Sequence, residues 1–403
     1  MNRAQRVVIT GLGVVSSIGI GKEAFWDALL QGRSGIGPVA AFDTTAHFTH
    51  NGGEVKNFDP RPFLREDLLP HMNRASQMAV VSTVLALRDS RLDLPQVPGN
   101  RIAVSHGTTF GSIQTIEAIN DLLLGGRDPD QFLLQALPTH AAPAAVAGYA
   151  RSRGPCMMFS TACAAGNYAL GYAADLIRLG RADVVIAGAS DPFSRIAFTG
   201  FNQFSAVAPD RCQPFDKNRK GMMVAEGAGA LVLEPLDAAA ARNAPVYAEV
   251  LGYGLSCDAH HMTTASVEGI AACMKNALRD SGVAADDIDY ISAHGTGTVA
   301  NDRAECAAIR DVFGKRYPVI PVSSIKSMLG HTMGAASVLE AIACALAVRH
   351  DRIPPTVNYE TPDPECDIDC VPNQARAAVV RLAMNNSYAF GGNNASLILK
   401  KIA

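Results

Sequence analysis

Cys163 stands in the run Phe159-Ser160-Thr161-Ala162-Cys163-Ala164-Ala165-Gly166-Asn167. Apolar Cys156-Met157-Met158-Phe159 leads into it, and Tyr168 to Ile177 follows with apolar residues at helical spacing. The pattern predicts a strand, a tight turn and a helix, with the cysteine at the helix N-terminus. Unpaired N–H groups and the helix dipole there favour a thiolate, which is a far better nucleophile than a thiol. A free cysteine is more often a buried, inert hydrophobe. The histidines further along the chain set this one apart.

Two histidine motifs lie in the second half. Ser292-Ala293-His294-Gly295-Thr296-Gly297-Thr298 follows the apolar run Ile288 to Ala293. Ser323-Ser324-Ile325-Lys326-Ser327-Met328-Leu329-Gly330-His331 follows Val319 to Val322 and opens a helix. Strand-end loops are where open α/β proteins put their chemistry. Glycines at 295 and 297 let backbone approach a ligand, and Thr296 and Thr298 offer hydroxyls to a polar, uncharged chain. Taken alone, a histidine is usually structural and Lys326 could be a surface charge. Neither motif matches a dinucleotide or P-loop pattern. The combination of a helix-capping cysteine, two histidines after strands and a lysine beside the second points to nucleophilic catalysis.

These residues need a scaffold that supplies several strand ends. Short β-branched runs alternate with longer Ala/Leu-rich helical patterns, as in α/β proteins. Val7 to Gly11 reads as a first strand and turn, Val184 to Ala189 and Gly229 to Glu234 as strands, and Leu236 to Arg242 as a helix. Gly180 is placed to end the Cys163 helix. A second α/β series starts near Val246. It contains a long apolar helix over Ala335 to Val348 and a hairpin over Met384 to Leu399 around Gly391-Gly392. In each half a strand and tight turn place a reactive side chain at a helix end, and, together with the family resemblance given below, this leads to the expectation of a duplicated chain, residues 1–240 carrying the nucleophile and 241–403 carrying both histidines.

Composition bounds the rest. Among 403 residues, 48% are hydrophobic and 18% charged, which provides for a large core and excludes general disorder. A net charge of −3 gives no overall pull on nucleic acid or membranes. The nine cysteines form no paired CxxC set, so neither a disulfide framework nor a metal site is expected. No signal peptide is legible in Met1 to Arg6, no apolar stretch reads as a membrane span, and a reducing cytoplasm fits best.

The whole pattern resembles the β-ketoacyl-acyl-carrier-protein synthases, the condensing enzymes of the thiolase superfamily. The resemblance covers nearly the entire chain. It includes Val8-Ile9-Thr10-Gly11-Leu12-Gly13-Val14-Val15-Ser16, the Cys163 turn, Pro214-Phe215-Asp216, Ala225-Glu226-Gly227-Ala228-Gly229, both histidine motifs and Asn386-Ser387-Tyr388-Ala389-Phe390-Gly391-Gly392. It is specific for the elongating type with a Cys-His-His triad, because His331 stands where the initiating type has Asn.

That resemblance implies an α/β, thiolase-like fold with a duplicated five-layer αβαβα architecture. It implies that Cys163 takes an acyl chain from a carrier-protein thioester and that a malonyl thioester then loses carbon dioxide and condenses with it. His294 and His331 would donate to the malonyl carbonyl, and the backbone N–H groups of Cys163 and Phe390 would form an oxyanion hole. By match to the family motif, Lys326 and Glu340 surround His331, Thr296 and Thr298 bind the phosphopantetheine arm, and Asp302 is a structural acid beside the site. No cofactor or metal is implied. The implied partners are an acidic acyl carrier protein and a second subunit, either a copy of this chain or a chain-length-factor-like protein. Candidate docking residues are Arg61, Arg65, Arg74, Arg211, Lys217, Arg219 and Lys220.

The chain departs from the family pattern at Val299, usually Pro, at Asn393, usually Thr, and at Ala164-Ala165, usually bulkier. Phe110, in Gly107-Thr108-Thr109-Phe110-Gly111, stands where the family lines its acyl pocket with a smaller aliphatic residue. The expectation is a pocket suited to short, planar or polyunsaturated chains, and Phe390 is expected to gate it. Two other functions are weighed. A degradative thiolase needs a second active-site cysteine near the C-terminus, and Cys370 sits in an unrelated context. A non-catalytic chain-length-factor-like subunit lacks the nucleophile, which is present here.

Overall fold

The structure, a computed structural model, describes residues 5–402; the Met1–Ala4 start read for a leader lies outside the described residues. Of the strands that position the site, five come from the first part of the chain: β1 (Val7–Ser16), β2 (Ile102–Gly107), β3 (Cys156–Phe159), β4 (Val184–Asp191) and β5 (Gly227–Pro235). Five come from the second: β6 (Ala248–Cys257), β7 (Tyr290–Ser292), β8 (Val322–Ser323), β9 (Leu382–Tyr388) and β10 (Asn393–Lys400).

The first set runs in spatial order β3-β2-β4-β5-β1, and the second runs β8-β7-β9-β10-β6. Numbered within each set, both orders are the same. The pairing directions also match. β2 is parallel to β3 and β4, and β7 is parallel to β8 and β9. The remaining pairs are antiparallel in both sets. Among the described residues the two strand sets pair where β1 meets β6, at Val8 opposite Glu249 and Ile9 opposite Ala248. A duplication invisible in residue identity is therefore explicit in topology.

Five helices matter for the layers: α1 (Arg74–Ser90), α2 (Ala165–Arg178), α3 (Val267–Ser281), α4 (Val299–Phe313) and α5 (Ala336–His350). α1 packs outside the first strand set, α3 outside the second with α4 against it, and α2 and α5 touch each other between the sets. This is the five-layer αβαβα arrangement. Burial on both strand faces explains the continuous apolar runs, since all ten residues of β1 are buried.

Two readings of local structure need correction. Gly11 does not turn the chain, because β1 continues to Ser16. A Cβ on Gly11 would lie 2.1 Å from the Ala86 carbonyl oxygen, and one on Gly13 would lie 1.8 Å from that of Ser82. These glycines exist so that α1 can lie directly on the strand. The strand expected at Val319 to Val322 shrinks to Val322–Ser323, with Val319 exposed.

α5 also corrects the reading that no stretch could span a membrane. Met333–His350 is long and apolar enough by composition, yet 89% of that stretch is buried inside the fold. A helix wedged between two sheets is apolar all round for the same reason a lipid-facing helix is.

Candidate active site

Cys163 sits in a 3-10 turn, Ala162–Ala164, between β3 and α2. Ala162 adopts φ 47°, a left-handed conformation that costs a residue with a Cβ and forces the sharp turn. Ser387, from β9 of the second half, donates its hydroxyl to the Cys163 carbonyl at 2.8 Å. His294 follows β7 and His331 follows β8, so parallel neighbours in one sheet deliver both rings to the cysteine. His331 Nε2 lies 3.1 Å from Cys163 Sγ. The two imidazoles meet edge-on, centroids 5.5 Å apart at 82°.

The tautomers follow from what surrounds each Nδ1. The backbone N–H of Met333 donates to His331 Nδ1 at 3.1 Å, aimed there by a left-handed φ of 54° at Met333. The Lys326 ammonium lies 3.3 Å from His294 Nδ1. An ammonium has only donors, so both Nδ1 atoms are acceptors and each neutral ring carries its proton on Nε2. Burial and the positive charge of Lys326 hold both histidines well below their usual pKa, so they stay neutral. The site presents two N–H donors to its cavity.

Burial pushes the Cys163 thiol up to about 12, although Lys326 pulls it down. The expected thiolate is therefore not the resting species. The cysteine precedes the first residue of α2, in a desolvated site, so loss of water outweighs the dipole.

Lys326, expected with Glu340 around His331, donates its ammonium to the His294 carbonyl at 2.7 Å and pairs with Glu340, while its charge also acts on His331. Both side chains of that pair are 1% exposed. Burial raises Glu340 to about 7 against the pull of Lys326.

Thr296 and Thr298 share a hydroxyl hydrogen bond of 2.9 Å, and Thr298 caps α4 by accepting from the Asn301 N–H. Asp302 is fully buried and accepts from the N–H groups of Phe215 and Gly297. Glu305, which the sequence reading missed, accepts from the N–H groups of His294 and Gly295, both at 2.8 Å. A second acid one turn after Asp302 was the available signal. Asp191, also missed, ends β4 and accepts from Thr108, Thr109, Phe110 and Gly334. It ties the Phe110 turn to the loop after His331. An acid closing an apolar strand could have flagged it.

Cys163, His294 and His331 open into a cavity of roughly 390 Å³, which Thr296, Thr298, Val299 and Phe390 also line. Cys163 is the only cysteine along its wall, and Cys370 lies buried in the apolar core of the second half. Phe390 is 41% exposed, and its N–H has no hydrogen-bond partner among the described residues. Phe110 does not line the cavity. It stands behind Phe201, rings edge-on at 6.4 Å, while Phe201 meets Phe390 at 6.2 Å.

The basic residues divide. Arg74 is committed to Glu226, and Arg219 is buried against Asp302 and Asp363, so neither can form a rim. Arg61, Arg65 and Arg211 are exposed but paired to neighbouring acids. Lys217 and Lys220 are exposed with no ion pair among the described residues, and Lys220 reaches the cavity mouth.

Comparison with known proteins returns one family. Residues 4–239 match the model for the beta-ketoacyl synthase N-terminal domain, and residues 247–360 match that for its C-terminal domain. The chain is 40% identical to 3-oxoacyl-[acyl-carrier-protein] synthase 2 of Coxiella burnetii, over 99% of each chain. A solved structure titled the ishigamide ketosynthase/chain length factor superposes with a TM-score of 0.97 at 45% identity, over 100% of both chains. A type II polyketide ketosynthase solved with its acyl-carrier protein, AntDE with AntF, gives 0.92 at 31% identity, again over 100% of both chains.

Proposed function

The chain belongs to the beta-ketoacyl synthase family, and from that premise we propose that it lengthens acyl chains by decarboxylative Claisen condensation. The observation that carries the reading is the pair of neutral rings held as Nε2–H donors beside Cys163.

In the first stage the Cys163 sulfur attacks an acyl thioester of a carrier protein. Its proton leaves with the departing carrier thiol. Because the thiol rests protonated and His331 Nε2 carries a hydrogen, His331 steadies the sulfur as a donor and does not serve as its base. In the second stage a malonyl thioester binds with its carbonyl oxygen against His294 and His331. Carbon dioxide leaves, and the two donors stabilise the enolate oxygen. The enolate carbon attacks the acyl-cysteine and expels Cys163, which takes up one proton. The product is a 3-ketoacyl thioester two carbons longer. The N–H groups of Cys163 and Phe390 are the donors for the tetrahedral oxyanion, each worth about 3–4 kcal/mol.

Lys326 positions His294 and fixes its tautomer, Glu340 compensates the charge of Lys326, and Asp302 and Glu305 hold the His294 loop. Thr296 and Thr298 suit the amides of a phosphopantetheine arm, so the substrates bring their own carrier and no further cofactor is required. The halves divide near residue 240, at the end of the helix Leu236–Ala241. An acyl carrier protein docks at the mouth beside Lys217 and Lys220.

β3 is an open sheet edge with Cys156 and Met157 exposed, which supports a second subunit there, either another copy or a chain-length-factor-like protein. All nine cysteines are free thiols, in keeping with a reducing cytoplasm. Phe110 backs Phe201 at the cavity end and selects short, planar or polyunsaturated chains. The likeness to the ishigamide ketosynthase/chain length factor supports a chain-length-factor-like partner, and fatty-acid and type II polyketide synthesis both fit the relatives found.

Mass spectrometry of products from malonyl carrier protein and a panel of acyl primers tests the reading. Cys163→Ala is expected to abolish condensation and retain malonyl decarboxylation. Full condensation by that variant would overturn the assignment.

A further inference from the structure

Cys163, His294 and His331 have the look of a metal site. Each offers one donor atom, and the three atoms lie within 4.8 Å of one another. One sulfur and two imidazole nitrogens with an open fourth position is a zinc-type ligand set. Adjacent ligands on tetrahedral zinc are about 3.5 Å apart, from bonds of ~2.3 Å to sulfur and ~2.0 Å to nitrogen. The Cys163–His331 separation of 3.1 Å is close to that value. The cavity gives an ion access to all three.

The groups behind the rings argue the other way. A metal-bound histidine donates its far N–H to a carboxylate or carbonyl, which leaves a lone pair for the metal. Here that polarity is reversed at both rings. His331 Nδ1 accepts from the Met333 N–H, and His294 Nδ1 faces the Lys326 ammonium. To bind an ion at Nε2, each ring would have to move its proton to Nδ1 and set N–H against a donor. At His294 the incoming cation would also face a buried positive charge. The nearby carboxylate that could complete a carboxylate–histidine–metal arrangement, Glu340, is occupied by Lys326.

We propose that Cys163, His294 and His331 form a latent site for a zinc-type ion, kept closed by Lys326 and the Met333 N–H. The same inverted polarity that makes the rings donors to a substrate oxygen denies them to a metal. A Cys-His-His cluster open to solvent through a cavity thereby avoids inhibition by free zinc. Lys326 is a positioning residue here, acting through the His294 tautomer.

The test titrates Co²⁺ and Zn²⁺ into the full chain and into Lys326→Gln, whose amide oxygen can accept a proton from His294 Nδ1. The wild type is expected to give no cobalt–thiolate charge-transfer band. The variant is expected to give one and to bind Zn²⁺ about 10–100-fold more tightly, the usual effect of a change behind a metal ligand. Adding Cys163→Ala to the variant should remove the band, and Lys326→Arg, which keeps a cationic donor, should stay closed.

The pair Lys326→Met with Glu340→Gln removes both buried charges and serves if Lys326→Gln does not fold. Equal Zn²⁺ affinity in wild type and a folded variant would overturn the proposal, and so would a band in the wild type. These readouts need no condensation, so their failure is separable from failure of the proposed activity.

Discussion

Replacing Lys326 by methionine separates the two roles of this buried cation, charge compensation and control of a tautomer. Lys326 and Glu340 are each 1% exposed, and breaking a buried pair costs about 3–5 kcal/mol because one charge is left alone. Glu340 has an escape, since it can take up a proton. Burial already raises it from 4.5 to about 7 with Lys326 pulling it down, and without Lys326 it must rise further. A carboxyl whose folded pKa is raised binds its proton more tightly in the folded state. Its contribution is fully present below the unfolded value and is lost as pH rises through the folded value.

Wild-type stability should therefore level off above pH 7, where Glu340 has given up its proton, whereas Lys326→Met should keep losing about 1.4 kcal/mol per pH unit above pH 7. Urea unfolding at pH 5, 6, 7 and 8 measures this. The double variant Lys326→Met with Glu340→Gln should be nearly flat across the same range and recover most of the stability. Malonyl decarboxylation should stay lost in both, because His294 Nδ1 has no cationic donor in either. A pH-independent deficit would sink the charge argument. Recovery of decarboxylation along with stability in the double variant would reduce Lys326 to packing.

Other predictions concern the nucleophile, the pocket and the fold. With its thiol pushed up to about 12, Cys163 should be alkylated by iodoacetamide at a rate rising about tenfold per pH unit from pH 7 to 10. A plateau below pH 8.5 would mean that the resting thiolate exists after all. Phe110→Ala should free Phe201 to move back and shift products toward longer chains, and because Phe110 is only half-buried, its stability cost should fall below the roughly 3–5 kcal/mol of a core Phe→Ala. An unchanged product distribution would remove Phe110 from selectivity. Gly13→Ala would set a methyl 1.8 Å from a backbone oxygen of α1, which cannot retreat alone. Thermal unfolding should report a loss at the top of the roughly 1–3 kcal/mol range for overpacking, and a neutral result would contradict the close strand–helix contact.

Residue types and order were enough to find Cys163, His294, His331 and Lys326, because each follows a short apolar run with a small-residue turn, a pattern legible one segment at a time. The hairpin and the long inner helix were legible for the same reason, whereas the duplicated plan leaned on the family resemblance and is explicit only in the strand order. Partnership was not legible. Lys326 reaches His294 across a loop, and Phe110 packs against Phe201, because β8 and β7 are neighbours only in the sheet and Phe201 comes from a distant helix. Glu305 and Asp191 escaped notice because their work is to accept backbone N–H groups, which carry no side-chain signature.

The charge states were decided by the tertiary structure alone. A cysteine near a helix start invites a thiolate reading, but only the packed fold removes the water that would solvate it. The direction of each histidine's proton rests on a backbone N–H and an ammonium that the fold brings to Nδ1. The sequence by itself determined which groups meet at the cavity. The closed, dry arrangement of two half-sheets around them determined that the sulfur waits as a thiol and that both rings face it as donors.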